Sequence, residues 1–149
     1  LRKSVIVIAR ADFKLPEDFL LKISVLGDRT DEIVPRVLEA GGKVMLARVR
    51  GNLQAAIGRT KYPSRSTGEL LRSLGVSPAR IGRNGNYDVK VGFAEPRRGG
   101  GANAKIANII EYGKHGLPAR PFLKPAKSAA KSECIETMKT KLQQEVDGI

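Results

Sequence analysis

Tryptophan is absent, and three tyrosines with four phenylalanines bring the aromatic share to only 5% of 149 residues. A core must therefore be assembled from Ile, Leu, Val and Ala, which suits helices packed on a small sheet. The single cysteine, Cys134, excludes an intramolecular disulfide, and with His115 as the only histidine no Cys, His and acid cluster has zinc-ligand spacing. A reducing compartment, with no structural metal and no cofactor, is the expectation. No apolar run approaches the ~20 residues of a membrane span, so no membrane partner is expected. The opening LRKSVIVIAR has a basic start and a short apolar run, but Asp12 and Lys14 follow without a small-residue cleavage site, and the stretch reads as a strand, not a signal peptide.

Carboxylates are also scarce: 15 Asp+Glu stand against 27 Lys+Arg, for a formal net charge of +12. Such a surface attracts polyanions, which points to non-specific contact with nucleic acid. An equally weighted alternative is a solvated basic surface or one facing acidic subunits, because aromatic residues do not interleave with the cations in stacking patterns. The stretch Gly58 to Thr67 has loop composition and carries Arg59, Lys61 and Arg65, and PRRGGGAN from Pro96 to Asn103 sets Arg97 and Arg98 before three glycines. These five cations are the candidates to face DNA or a partner. The glycine run with Lys105 lacks the G-x-x-x-x-G-K-[ST] pattern of a phosphate-binding loop.

Along the chain, Lys3 to Ala9 reads as a buried strand or as an arm, within residues 1–11, that extends a neighbour's sheet. Phe19, Leu20, Ile23 and Leu26 predict a short helix stopped by Gly27. The longest helical pattern runs from Thr30 to about Ile57, with Thr30 or Asp31 as N-cap, Pro35 early, and Gly41-Gly42 at a close approach or a bend. Leu70 to Ser77 and Asp88 to Phe93 read as strands of an antiparallel hairpin turned through Asn84-Gly85-Asn86. The last helix, Pro125 to Val146, places Ala126, Ala130, Ile135, Met138, Leu142 and Val146 near one stripe. The expected architecture is one α+β domain over residues 1–149, a long central helix and a C-terminal helix packed on a small antiparallel β-sheet.

Between those helices lies IANIIEYGKHGLPARPFLKPA, from Ile106 to Ala126. Ile106, Ile109 and Ile110 fall at helical spacing and Gly113 suits a left-handed C-terminal cap. Pro118, Pro121 and Pro125 exclude regular structure up to the last of them. Glu111, at the end of an apolar helix, opposes the helix dipole and calls for a compensating cation, with Arg120 and Arg72 as candidates. Phe122 must dock on something, and the face formed by Val89, Val91 and Phe93 is the favoured receiver; Tyr112 and Leu117 are interface candidates. His115 reads as exposed and Cys134 as a partly buried, inert thiol.

The steps Glu111-Tyr112-Gly113 and Ala119-Arg120-Pro121-Phe122 resemble the C-terminal signature of phage head-tail joining proteins, also called tail completion or minor tail proteins. Upstream, Ser66 to Leu74 (STGELLRSL) is similar to that family's Thr-Gly-x-Leu-x-x-Ser element, and the succession covers the chain from Phe19 onward. The resemblance implies a structural virion protein, not an enzyme, at the neck or head-proximal tail end, assembled in the host cytoplasm. Its partners would be other neck and tail proteins and further copies of itself in a ring, with Glu111, Tyr112, Gly113, Arg120, Pro121 and Phe122 forming its structural turn and interface. The alternative is a basic nucleic-acid-binding protein whose affinity falls steeply with salt. A hydrolase or nuclease would need clustered acids or histidines, which the sequence does not offer.

Overall fold

The computed structural model describes residues 4–8, 11–14, 17–24, 26–58, 65–81, 87–94 and 103–148. In chain order the elements are β1 (Ser4–Ile8), β2 (Ala11–Lys14), α1 (Glu17–Ser24), a 3-10 turn (Gly27–Arg29), α2 (Thr30–Gly58), α3 (Arg65–Ser73), β3 (Leu74–Val76), β4 (Arg80–Ile81), β5 (Tyr87–Phe93), α4 (Asn103–Tyr112) and α5 (Leu123–Asp147). The sequence-predicted turn Asn84-Gly85-Asn86 and the arginine and glycine stretch from Pro96 to Ala102 lie outside the described residues.

Helix α2 is the axis of the molecule and is buried on two sides. Ile33, Val34, Val37, Leu38, Met45, Val49, Leu53 and Ala56 are all inside. The sheet packs on one side of it and α5 on the other. Gly42 allows the approach of the sheet. A Cβ on Gly42 would lie 2.8 Å from Val76 Cγ2 and 2.8 Å from Val89 Cγ1, so the sheet sits where a side chain would have been. On the α5 side the carbonyl of Gly41 accepts the Cys134 thiol at 3.2 Å. Pro35 removes one donor in the early turns, and the helix continues through it. Thr30 is not an N-cap acceptor: its hydroxyl donates back to the Gly27 carbonyl at 2.8 Å, because the 3-10 turn leads into the helix. Gly27, at φ 59, makes the reversal after α1.

Helix α5 runs antiparallel to α2, as three cross-contacts along its length show. Asn52 Nδ2 donates to the Phe122 carbonyl at 3.2 Å, Cys134 meets Gly41, and Arg36 pairs with Glu145 at 2.9 Å. Its buried stripe is Ala126, Ala130, Cys134, Met138 and Leu142 at strict four-residue spacing. Cys134 takes the place expected for Ile135, which is only partly buried, and Val146 is exposed. Small residues along most of that stripe let the two helix axes come close.

The sheet runs β2-β1-β5-β3, with β4 also paired to β5. β3 and β4 are antiparallel to β5, through Gly75↔Gly92 and Arg80↔Asp88 among others, as the hairpin reading expected. β1 joins β5 in parallel, with Ile6 opposite Val89, and is flanked by β2 on its other edge. The stretch read as a buried strand or an arm forms β1, between β2 and β5 in the chain's own sheet. Leu70 to Ser73, read as strand, are helical. Leu70 and Leu74 sit one helical turn apart and are both buried, and the helix gives way to β3 at Leu74. Arg65 to Thr67, expected in a loop, form the first turn of α3.

Candidate docking surface

The segment from Gly113 to Phe122 lies where three helix ends meet: the end of α2, the end of α4 and the start of α5. Each end carries unsatisfied backbone groups and a partial charge. Two side chains answer them. Glu111, in the last turn of α4 and only 2% exposed, accepts hydrogen bonds from three consecutive backbone N–H groups at the start of α5. Its Oε2 takes Phe122 N at 2.6 Å and Leu123 N at 2.8 Å, and its Oε1 takes Lys124 N at 3.0 Å. Arg120 donates from Nη1 to the Ala56 carbonyl at 3.1 Å, one of the carbonyls left over at the end of α2.

The compensating partner of Glu111 is therefore not a cation. The expectation of an Arg120 or Arg72 pair is overturned, because the positive end of α5 lies within reach and offers three donors with matching charge. Arg120, freed from that role, serves the negative end of α2. The two charges each complement a different helix terminus.

The turn is held at further points. Gly113, at φ 74, closes α4, and its N–H bonds the Ile109 carbonyl at 2.8 Å. A Cβ there would stand 2.7 Å from the backbone of both Leu117 and Ala119, so the position requires glycine for space as well as for conformation. Lys114 and Leu117 exchange two backbone hydrogen bonds around Gly116, at φ 80, and Arg120 N bonds the Ile110 carbonyl at 2.7 Å. Phe122 is fully buried and meets Phe93 edge-on, with centroids 6.3 Å apart and planes at 73°, as the sequence favoured. Helix α5 starts at Leu123, before Pro125, since a proline in the first helical turn removes no intrahelical bond.

This frame presents several apolar side chains outward, beside Lys114 and His115. Leu117 is 47% exposed and Tyr112 61%, the latter beneath the Lys124 ammonium, 5.7 Å from its ring centroid. Pro118 and Pro121 are exposed, as is His115. Arg59, Lys61, Arg97 and Arg98 lie outside the described residues, and of Arg65 only the backbone is described, as the first residue of α3. Cys134 lies far along α5 from this turn; its burial, with the Glu133 charge as a lesser cause, pushes the thiol up to about 12. It stays protonated and unreactive near neutrality. Among the described residues no group of three or more His, Cys, Asp or Glu is placed to hold a metal ion, and no helix is long and apolar enough to cross a membrane.

A small sheet on one side of α2 and helix α5 on the other make an α+β fold, in which the turn from Gly113 to Phe122 is bonded to three helix ends. The chain belongs to the family described as "Bacteriophage HK97-gp10, putative tail-component", whose model matches residues 17–113. The match runs from the start of α1 to the glycine that closes α4, so the Glu111-Tyr112-Gly113 step lies inside it and the Ala119 to Phe122 step beyond it. No curated protein and no solved structure matches the chain. By family, this is a phage tail-component protein.

Proposed function

We propose that the protein is a structural virion component at the neck or head-proximal end of the tail. It completes the tail or joins it to the head by docking, several copies being arranged as a ring. The observation that supports this most is the turn itself. Its backbone is tied to α2, α4 and α5 by Glu111, Arg120 and Gly113, yet Leu117 and Tyr112 are left at the surface. A rigid loop with outward apolar side chains suits docking, because little conformational entropy remains to be lost on contact. Its action is binding, with no reaction assigned to any residue.

Genetic complementation tests the proposal. A phage or prophage lacking this gene is supplied with the wild-type chain or with Leu117→Asp and Tyr112→Asp variants. Both positions are exposed, so the purified variants should melt like the wild type. The expected result is a large loss of infectious particles, with heads and tails seen separately by electron microscopy. Wild-type titres from the folded double variant would refute this docking surface.

A further inference from the structure

We propose that the groove between α2 and α5 is the contact surface for a second copy of this chain, which meets the first about a two-fold axis. The inference goes beyond the docking role of the turn and does not rest on it. The groove has two sections that meet at Glu133. One, of about 580 Å³, lies over Val44, Ala47 and Gly51 of α2 and carries Lys43 and Arg48. The other, of about 370 Å³, lies over Ala40 and carries Glu133 and Glu136, with Lys141. One section is thus mainly cationic and the other mainly anionic.

The order of these charges makes the surface complementary to itself. Val44 stands midway: Arg48 is four residues along α2 in one direction, and Ala40, in the section that holds Glu136, four in the other. Each step is about 6 Å at roughly 1.5 Å per residue. A two-fold axis at Val44 therefore sets Arg48 of each copy at the level of Glu136 of the other, with Lys43 and Glu133 of both copies close to the axis. A contact between identical surfaces requires this self-complementarity. Among the described residues Lys43, Arg48 and Glu133 take part in no ion pair, whereas Glu136 meets Lys139 at 3.9 Å and Lys141 is occupied by Glu145 at 3.3 Å.

The backbone allows the approach. Ala47 and Gly51 are exposed one helical turn apart, and a Cβ on Gly51 would stand in open space. With no long side chain at either position, α2 of the second copy can lie close along this one, so that α2 and α5 of the two copies pack as a four-helix layer. The charges also decide against other occupants. A polyanion or an acidic protein would meet Glu133 and Glu136, and a basic protein would meet Lys43 and Arg48. On a chain of net charge +12, a groove lined by Lys43, Arg48 and Lys141 against Glu133 and Glu136 is a face where two copies meet with little like-charge repulsion.

The test is sedimentation equilibrium of the purified, nuclease-treated full chain at up to about 100 µM, above the micromolar affinity of the weaker specific contacts. The expected species has twice the monomer mass of 16.1 kDa and exchanges with monomer. Ala47→Gln with Gly51→Gln adds bulk without charge and should weaken the pair by about tenfold or more, without lowering the melting temperature, since both positions are exposed. Arg48→Glu faces Glu136 of the second copy, twice over by symmetry, and should weaken the pair by about tenfold. Glu136→Lys, added to it, should recover most of that loss, because the reversed charges attract again. A monomer at every concentration, association that the Ala47 and Gly51 substitutions leave intact, or charge reversals whose losses add would each overturn the proposal. The Leu117→Asp, Tyr112→Asp variant should still pair; loss of pairing there would place the contact on the turn and overturn the groove. Failure of that variant in complementation while it pairs normally bears on the docking role alone, so the two proposals fail separately.

Discussion

Replacing Glu111 with alanine leaves three adjacent backbone donors, on Phe122, Leu123 and Lys124, without their acceptor. A buried donor left unsatisfied costs about 1–3 kcal/mol, and less where water can reach it. Phe122 is fully buried and Lys124 is exposed, so the three together should cost about 3–4 kcal/mol, including the lost charge at the positive end of α5. That is a large share of the ~5–15 kcal/mol that holds a typical domain folded. With a urea m-value near 2 kcal/mol per molar, the denaturation midpoint should fall by about 1.5–2 M. Glu111→Gln keeps one acceptor oxygen but turns an amide group toward a donor, and should lose about half as much. Glu111→Asp should resemble alanine more than glutamine does, because a side chain one methylene shorter cannot span all three donors. If Glu111→Ala shifted the midpoint by less than about 0.3 M, the carboxylate would not be anchoring α5, and the account of the turn would fail.

Other substitutions probe separate contacts. Gly113→Ala combines a left-handed backbone with a methyl group 2.7 Å from the backbone of Leu117 and Ala119, and should cost at least 2 kcal/mol, about, in the same urea titration. Gly42→Ala gains up to about 1 kcal/mol of helix propensity but pushes into Val76 and Val89, and the net effect should be a loss of about 1–2 kcal/mol. Adding Val76→Ala to Gly42→Ala should restore part of that loss; an additive double variant would deny the close approach. Cys134 should resist a thiol reagent at neutral pH in the folded protein and react at once in denaturant, and prompt labelling of the native state would refute its burial. Its raised pKa stabilises the neutral, folded form below the unfolded thiol value near 9, and that contribution should be lost as pH rises from there toward about 12.

The α4–α5 turn shows how much of the site was legible. Gly113 and the burial of Phe122 followed from local rules, a left-handed cap after an apolar helix and an aromatic that prolines prevent from folding away locally. The cap supplied by Glu111 did not. A local capping box joins residues three positions apart, whereas this carboxylate meets donors 11 to 13 residues onward. Only the fold of the turn brings them together. For α3 the signal was present and read with the wrong period: Leu70 and Leu74 are spaced as a helix turn, and Gly68 masked it.

Helices α2 and α5 were set by the sequence almost to the residue, because apolar periodicity over seven or eight turns leaves one face to bury and few ways to bury it. The pairing of β1 was settled only in three dimensions. A short run of Val and Ile can add to any open strand edge, and the run itself does not say whether that edge belongs to its own chain. Here β5, which packs on α2 at the close approach of Gly42, provides the edge, and β1 lies alongside it in parallel. The partners of Glu111 and Arg120 were decided in the same way. Charge alone favoured pairing Glu111 with a cation, Arg120 or Arg72, but the fold set a helix terminus of complementary sign beside Glu111 and another beside Arg120, and three aligned backbone donors make a better site for a buried carboxylate than one flexible side chain.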